Sequence, residues 1–211
     1  MLISKHYLKQ SAIWLNKKNI SANNLSVLGL FFALLSSVCF WHAFSESTPL
    51  SFRLLLLFAM LSIQARLVCH ALATLMAKQS HSYNPERPLY HLLVDRISDI
   101  FILLGVGYGL TLFPTASTTA WVTVVIALLS AYLRLLNKLC GLKQSLSAGP
   151  MAKLHRMMWL SISVLIALFL PLEKAQLLLF ISLWTILLGG LFTILFRTHD
   201  MAHALGWKTK D

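Results

Sequence analysis

Carboxylates are what this chain has least of. Seven Asp and Glu residues stand against eighteen Lys and Arg among 211 residues. Charged residues of both signs make up only 12% of the chain, and hydrophobic residues 57%. A soluble domain carries about twice that charged fraction, which excludes a freely soluble enzyme. Cysteine is nearly as sparse. Cys39, Cys69 and Cys140 lack metal-type spacing and read as small apolar packing residues. No internal repeat, low-complexity linker or cleavable signal sequence is visible, and residues 1–211 read as a single domain.

What is abundant is uninterrupted apolar sequence. About 20 apolar residues cross a bilayer as a helix, and six such windows can be drawn, at 26–44, 54–77, 92–113, 120–136, 157–172 and 175–196. The expected fold is therefore an all-α integral membrane protein with six transmembrane helices. Pro114 and Pro171 close segments, and Pro85 and Pro88 fall in the connection between the second and third. Residues 1–25 form a cytoplasmic or interfacial segment, with 7–16 reading as a short amphipathic helix carrying Trp14. Residues 197–211 form a cytoplasmic tail.

The net charge of +11 would suggest nucleic acid in a soluble protein. Its distribution gives another reason. Lys5, Lys9, Lys17 and Lys18 precede the first window, and Lys78 and Arg87 follow the second. Lys138, Lys143, Lys153 and Arg156 follow the fourth, and Arg197, Lys208 and Lys210 the last. The other three loops hold only Arg53 and Lys174. Positive loops stay inside, so both termini are expected in the cytoplasm, and no nucleic-acid partner is implied.

Against this apolar background, Arg66, His70, Lys78, His91, Asp95, Arg96 and Asp99 stand out. Ionisable residues are costly in a membrane and mark functional sites. Residues three and four apart share a helix face, so His91, Asp95 and Asp99 form one stripe on the third helix. Arg66, His70, Ala73, Thr74 and Ala77 form another on the second, ending at the same loop. The two stripes point to a shared cavity near the cytoplasmic face.

These segments resemble the CDP-alcohol phosphatidyltransferases, membrane enzymes of phospholipid synthesis with the signature D-x2-D-G-x2-A-R-x8-G-x3-D-x3-D. Its positions fall on His70, Ala73, Thr74, Ala77, Lys78, Arg87, His91 and Asp95. The stretch from His91 to Asp99, HLLVDRISD, is similar to N-E-L-x-D-R-I-S-D in some branches, and Cys69-His70-Ala71-Leu72-Ala73-Thr74-Leu75 to C-N-x-L-D-G-M. Ala22-Asn23-Asn24-Leu25-Ser26 looks like the family's lead into its first helix, and Gly149 to Arg156 like its G-P-x-x-K-x-D-R segment. The resemblance covers about residues 15–165.

The resemblance implies a transfer in which an alcohol attacks the phosphate of a CDP-linked donor and CMP leaves. Signature aspartates would hold divalent cations, Mg2+ or Mn2+, that neutralise the pyrophosphate. Asp95 would be the catalytic base. Asp95, Asp99, His91 and His70 would be the metal set, with Zn2+ favoured if the histidines are ligands. Asn23, Arg66, Lys78, Lys153 and Arg156 would bind substrate or phosphate, with Arg87 on the same cationic rim. The implied partners are membrane lipid and a CDP-linked lipid or alcohol, with a homodimer or a heterodimer with a relative. The implied place is a bacterial-type inner membrane.

The chain departs from the signature where the chemistry lies. Ala73 replaces the second aspartate, Thr74 and Arg87 replace glycines, and His70 and His91 stand where the family has Asp or Asn. Even the acidic residue of the later segment is His155. Glu86 is the only spare carboxylate near the site. The leading expectation is a divergent, catalytically impaired member of the family. One alternative is an active phosphotransferase with an altered His/Asp metal site. Another is a His/Asp-lined transport protein, although no inverted repeat or broken helix supports it.

Overall fold

The computed structural model describes residues 21–45, 48–79, 86–139, 149 and 151–204. The amphipathic helix expected at 7–16, the Cys140 loop and the side chains of Lys78 and Arg87 lie outside the described residues. The described residues form six helices: α1 (Ala22–Ala43), α2 (Pro49–Gln79), α3 (Glu86–Gly109), α4 (Ala116–Leu139), α5 (Lys153–Ala167) and α6 (Leu172–Ala204). Each covers most of one apolar window. Four of them, α1, α2, α4 and α6, are long and apolar enough to cross a membrane. α3 carries Asp95, Arg96 and Asp99, and α5 has only 15 residues.

Local chemistry sets several helix ends. Ser21 is extended (φ −78°, ψ 151°) and caps α1, its Oγ accepting from the Asn24 amide at 3.2 Å. After α5, the Phe169 and Leu170 amides donate to Ile166 and Ala167, and Pro171 then blocks continuation before α6. Pro88 corrects an expectation. It lies in the first turn of α3, not in the loop. Proline fits there because a first-turn N–H has no helical acceptor.

α1 packs along both α2 and α3, α4 lies between α3 and α6, and α5 leans on α6 and α2. The buried core runs through all of them, with Phe40, Leu56, Ile63, Ile102, Leu160 and Leu183 at its centre. Lipid is as apolar as leucine, so close backbone approach and hydrogen bonds between helices hold such a bundle. At Gly105 an added Cβ would come within 2.5 Å of the Ser37 Cα. α1 and α3 therefore touch backbone to backbone. Ser36 donates to the Ala59 carbonyl at 3.3 Å, Gln64 to Ser161 at 2.8 Å, and Ser182 to Ser163 at 2.7 Å. Large apolar side chains such as Phe31, Trp41 and Phe169 remain exposed around the outside, where a hydrocarbon environment would receive them.

Candidate functional site

Four helices converge at one polar site. Arg66, His70 and Thr74 follow one another at i, i+4 on α2, as do His91, Asp95 and Asp99 on α3. α1 contributes Ser26, and α5 contributes Lys153 from its first turn. The shared cavity expected from the two stripes is present. Ser26, Arg66, His70, His91, Asp95 and Ser98 line it, with about 10 Å³ of room, the space of a single water.

Asp95 is the hub. Its Oδ1 lies 3.1 Å from Arg66 Nη2 and 3.0 Å from His70 Nδ1, and it is ion-paired with Lys153 Nζ. Arg66 Nη2 also reaches the Asp95 carbonyl at 3.1 Å and Asp99 Oδ1 at 2.5 Å, so one guanidinium nitrogen bridges both carboxylates. Arg66, Asp95 and Asp99 are nearly sealed, at 2%, 6% and 4% exposure. Arg96 flanks them, 3.5 Å from Asp95 Oδ2 and 3.8 Å from Asp99 Oδ2. Arg66 Nη1 and Asp99 Oδ2 are buried with no hydrogen-bond partner among the described residues. A buried carboxylate is tolerable only when paired, which accounts for the density of cations here.

The histidines can be assigned from their partners. His70 Nδ1 faces a carboxylate, so it carries the proton, leaving Nε2 to accept from Lys153 at 3.5 Å. Thr74 donates to the His70 carbonyl at 2.8 Å, so it accepts from His91 Nε2 at 3.2 Å. His91 Nδ1 faces Ser26 Oγ at 2.9 Å, and that hydroxyl also lies 3.1 Å from the Ala22 carbonyl. The two rings stack 4.8 Å apart and 13° from parallel. Every ring nitrogen of the pair has a partner within the protein.

Most of the residues singled out from the sequence meet here. Arg66, His70, His91, Asp95, Asp99 and Lys153 form one network. Arg156 is buried on α5, within electrostatic reach of Asp99, Arg96, Asp95 and Arg66. Asn23 does not join them. It is exposed on the first turn of α1, and Ser26, one turn later, takes the inward position. Ser26 was missed because a serine in an apolar helix reads as packing. Arg197 was missed as well. It is buried on α6 and donates to the carbonyl and, at 2.8 Å, the hydroxyl of Ser130 on α4. Only its place after the last apolar window marked it, and positive-inside bias explained that.

A divalent cation fits this donor set poorly. Among the described residues no group of three or more His, Cys, Asp or Glu is arranged to hold a metal ion. Among the described residues, the side-chain polar atoms of the four expected ligands are turned to protein partners except Asp99 Oδ2, which is buried with Arg96 3.8 Å away. Ala73, at a signature aspartate position, is 1% exposed and packed with Leu25, Leu72 and Met76.

No family model matches this sequence, and no curated protein matches it. Its fold matches solved structures of the Mycobacterium tuberculosis phosphatidylinositol phosphate synthase PgsA1. Against the complex with manganese and citrate the TM-score is 0.67 at 14% identity, covering 92% of this chain and 88% of that one. The structure with CDP-DAG bound gives 0.67 at 14%, covering 92% and 93%, and the apo form 0.63 at 15%, covering 90% and 94%. PgsA1 is a CDP-alcohol phosphatidyltransferase. At such identity the likeness establishes a shared fold.

Proposed function

We propose that this chain is a divergent CDP-alcohol phosphatidyltransferase-type membrane protein that has lost the metal-dependent transfer while keeping a site for a CDP-linked lipid or its phosphate. The observation that carries this reading is the state of the two remaining signature-region carboxylates. Asp95 and Asp99 are bridged by Arg66, Asp95 is also held by Lys153, and an alanine is sealed in where a third carboxylate would stand. A base engaged by three cationic or proton-bearing nitrogens is a weak proton acceptor. The shared fold supports lipid metabolism, and the PgsA1 structure with CDP-DAG suggests the class of ligand.

In this reading all six helices span the membrane, with both termini and the site at the cytoplasmic face. α3 crosses despite its charges because they are neutralised within the bundle. Lys153, Arg156 and Arg66 attract the anionic part of the ligand, and Lys78 is assigned the same role from the sequence. A homodimer, or a heterodimer with an active relative, would give such a protein a role. The membrane is a bacterial-type inner membrane.

The test is CMP release by the purified chain in detergent, given CDP-diacylglycerol and a panel of alcohols. Mg2+, Mn2+ and Zn2+ are supplied in turn, beside an Asp95→Asn control. The expected result is CMP release no higher than the control with every metal, while labelled CDP-diacylglycerol is retained by the protein. Metal-stimulated turnover that Asp95→Asn abolishes would establish an active transferase with Asp95 as its base and overturn the proposal.

A further inference from the structure

We propose that Arg66 and Lys153 are built-in counter-ions that replace a divalent cation, so that this site neither binds nor needs a metal. The inference starts from the expected metal set but does not depend on whether the protein turns over.

Three observations carry it. The first is donor occupancy. Arg66 Nη2 lies 3.1 Å from Asp95 Oδ1 and 2.5 Å from Asp99 Oδ1, bridging two carboxylates as a shared cation would. Lys153 approaches the same Asp95 oxygen from α5. Its ammonium, a compact point charge with three donors, is the side chain nearest in character to a bound cation. His70 and His91 have both ring nitrogens engaged.

The second is charge. Two carboxylates face Arg66 and Lys153, with Arg96 3.5 Å from Asp95 and Arg156 buried nearby. The site is positive before any metal arrives. A hard divalent cation requires several oxygen ligands and a negative field, and it would have to displace a buried cation to find either.

The third is space. Ala73 supplies no ligand atom, and Leu25, Leu72 and Met76 close around it. An ion there would be stripped of water without replacement ligands.

The experiment uses the full chain in detergent. Free Mn2+ is read by its electron paramagnetic resonance signal during titration, and the thermal midpoint by tryptophan fluorescence in EDTA, Mg2+ or Mn2+. The wild type should leave the Mn2+ signal at its protein-free amplitude and melt at the same temperature in all three. Lys153→Met uncovers Asp95, so its midpoint should fall in EDTA and recover in part with Mn2+. Lys153→Arg should restore indifference to metal. Stoichiometric Mn2+ uptake by the wild type, lost in Asp95→Asn, would overturn the inference. A Lys153→Met variant with unchanged midpoint and no metal response would overturn it too. Should that variant fail to fold, the wild-type titration decides alone. Metal-free CMP release would sink the proposed loss of transfer and leave the counter-ions standing.

Discussion

Arg66 shows how much one side chain can carry when it is sealed among opposite charges. Removing one partner of a buried ion pair leaves the other unpaired and costs about 3–5 kcal/mol. Arg66→Ala takes from Asp99 its close cationic partner, while Asp95 keeps Lys153 and His70, so it should lower stability by about that much. The drop in thermal midpoint in detergent measures it. Adding Asp99→Asn to that variant removes the stranded charge and should recover a large part of the loss. Ser26→Ala serves as a contrast. It deletes one hydrogen bond to His91, and such bonds between membrane helices are worth about 0.6 kcal/mol on average. A Ser26→Ala effect as large as that of Arg66→Ala would mean that the charged network is not the main support here. Arg66, Asp95 and Asp99 were legible in the sequence because charge in an apolar run is conspicuous. Ser26 and the Arg197–Ser130 pair were not, since nothing in a local window says which neighbour a hydroxyl or a terminal arginine will meet.

At the scale of helices, the closest contacts are set by glycines whose missing Cβ cannot be replaced. Gly105 sits against the Ser37 backbone, and Gly29 has Cys69 Cβ at an ordinary 3.5 Å. Gly105→Ala should therefore force α1 and α3 apart, at about 1–3 kcal/mol for an overpacked interface. Gly29→Ala should be neutral or slightly stabilising, because alanine is the better helix former by about 1 kcal/mol. Equal midpoints for the two variants would refute this packing of α1 on α3. That a glycine in an apolar helix allows close packing is legible from residue type. The partner is not. Element ends were legible to within about six residues from apolar windows and prolines, except that α6 runs on to Ala204 through residues expected as tail, and except at Pro88. There the rule that proline breaks helices misled, because it does not apply to a first turn.

At the scale of the whole molecule, the proposed arrangement places the site end inside and the α5–α6 turn outside. His155 and Lys174 are both exposed on the protein surface, while Cys39 and Cys69 are buried. In intact cells, an impermeant maleimide should label Lys174→Cys and spare His155→Cys until the membrane is permeabilised. The opposite pattern would invert the topology and move the polar site to the outer face.

Composition and the order of apolar windows determined by themselves that this chain is an all-helical membrane protein, and they determined where its helices lie. Both follow from local physics: a run of apolar residues must satisfy its backbone internally when water is absent. The i, i+4 spacing also determined that Asp95 and Asp99 would share a face with His91. Only the tertiary structure decided what those carboxylates do. Lys153 lies 58 residues beyond Asp95, and no local pattern announces that α5 brings it back to the same oxygen. Nor does any pattern say that Arg66 bridges two carboxylates or that Ala73 is sealed among leucines and a methionine. Whether a buried carboxylate awaits a metal or is already neutralised depends on which distant side chains the packing delivers, and electrostatics at 3 Å is read only in three dimensions.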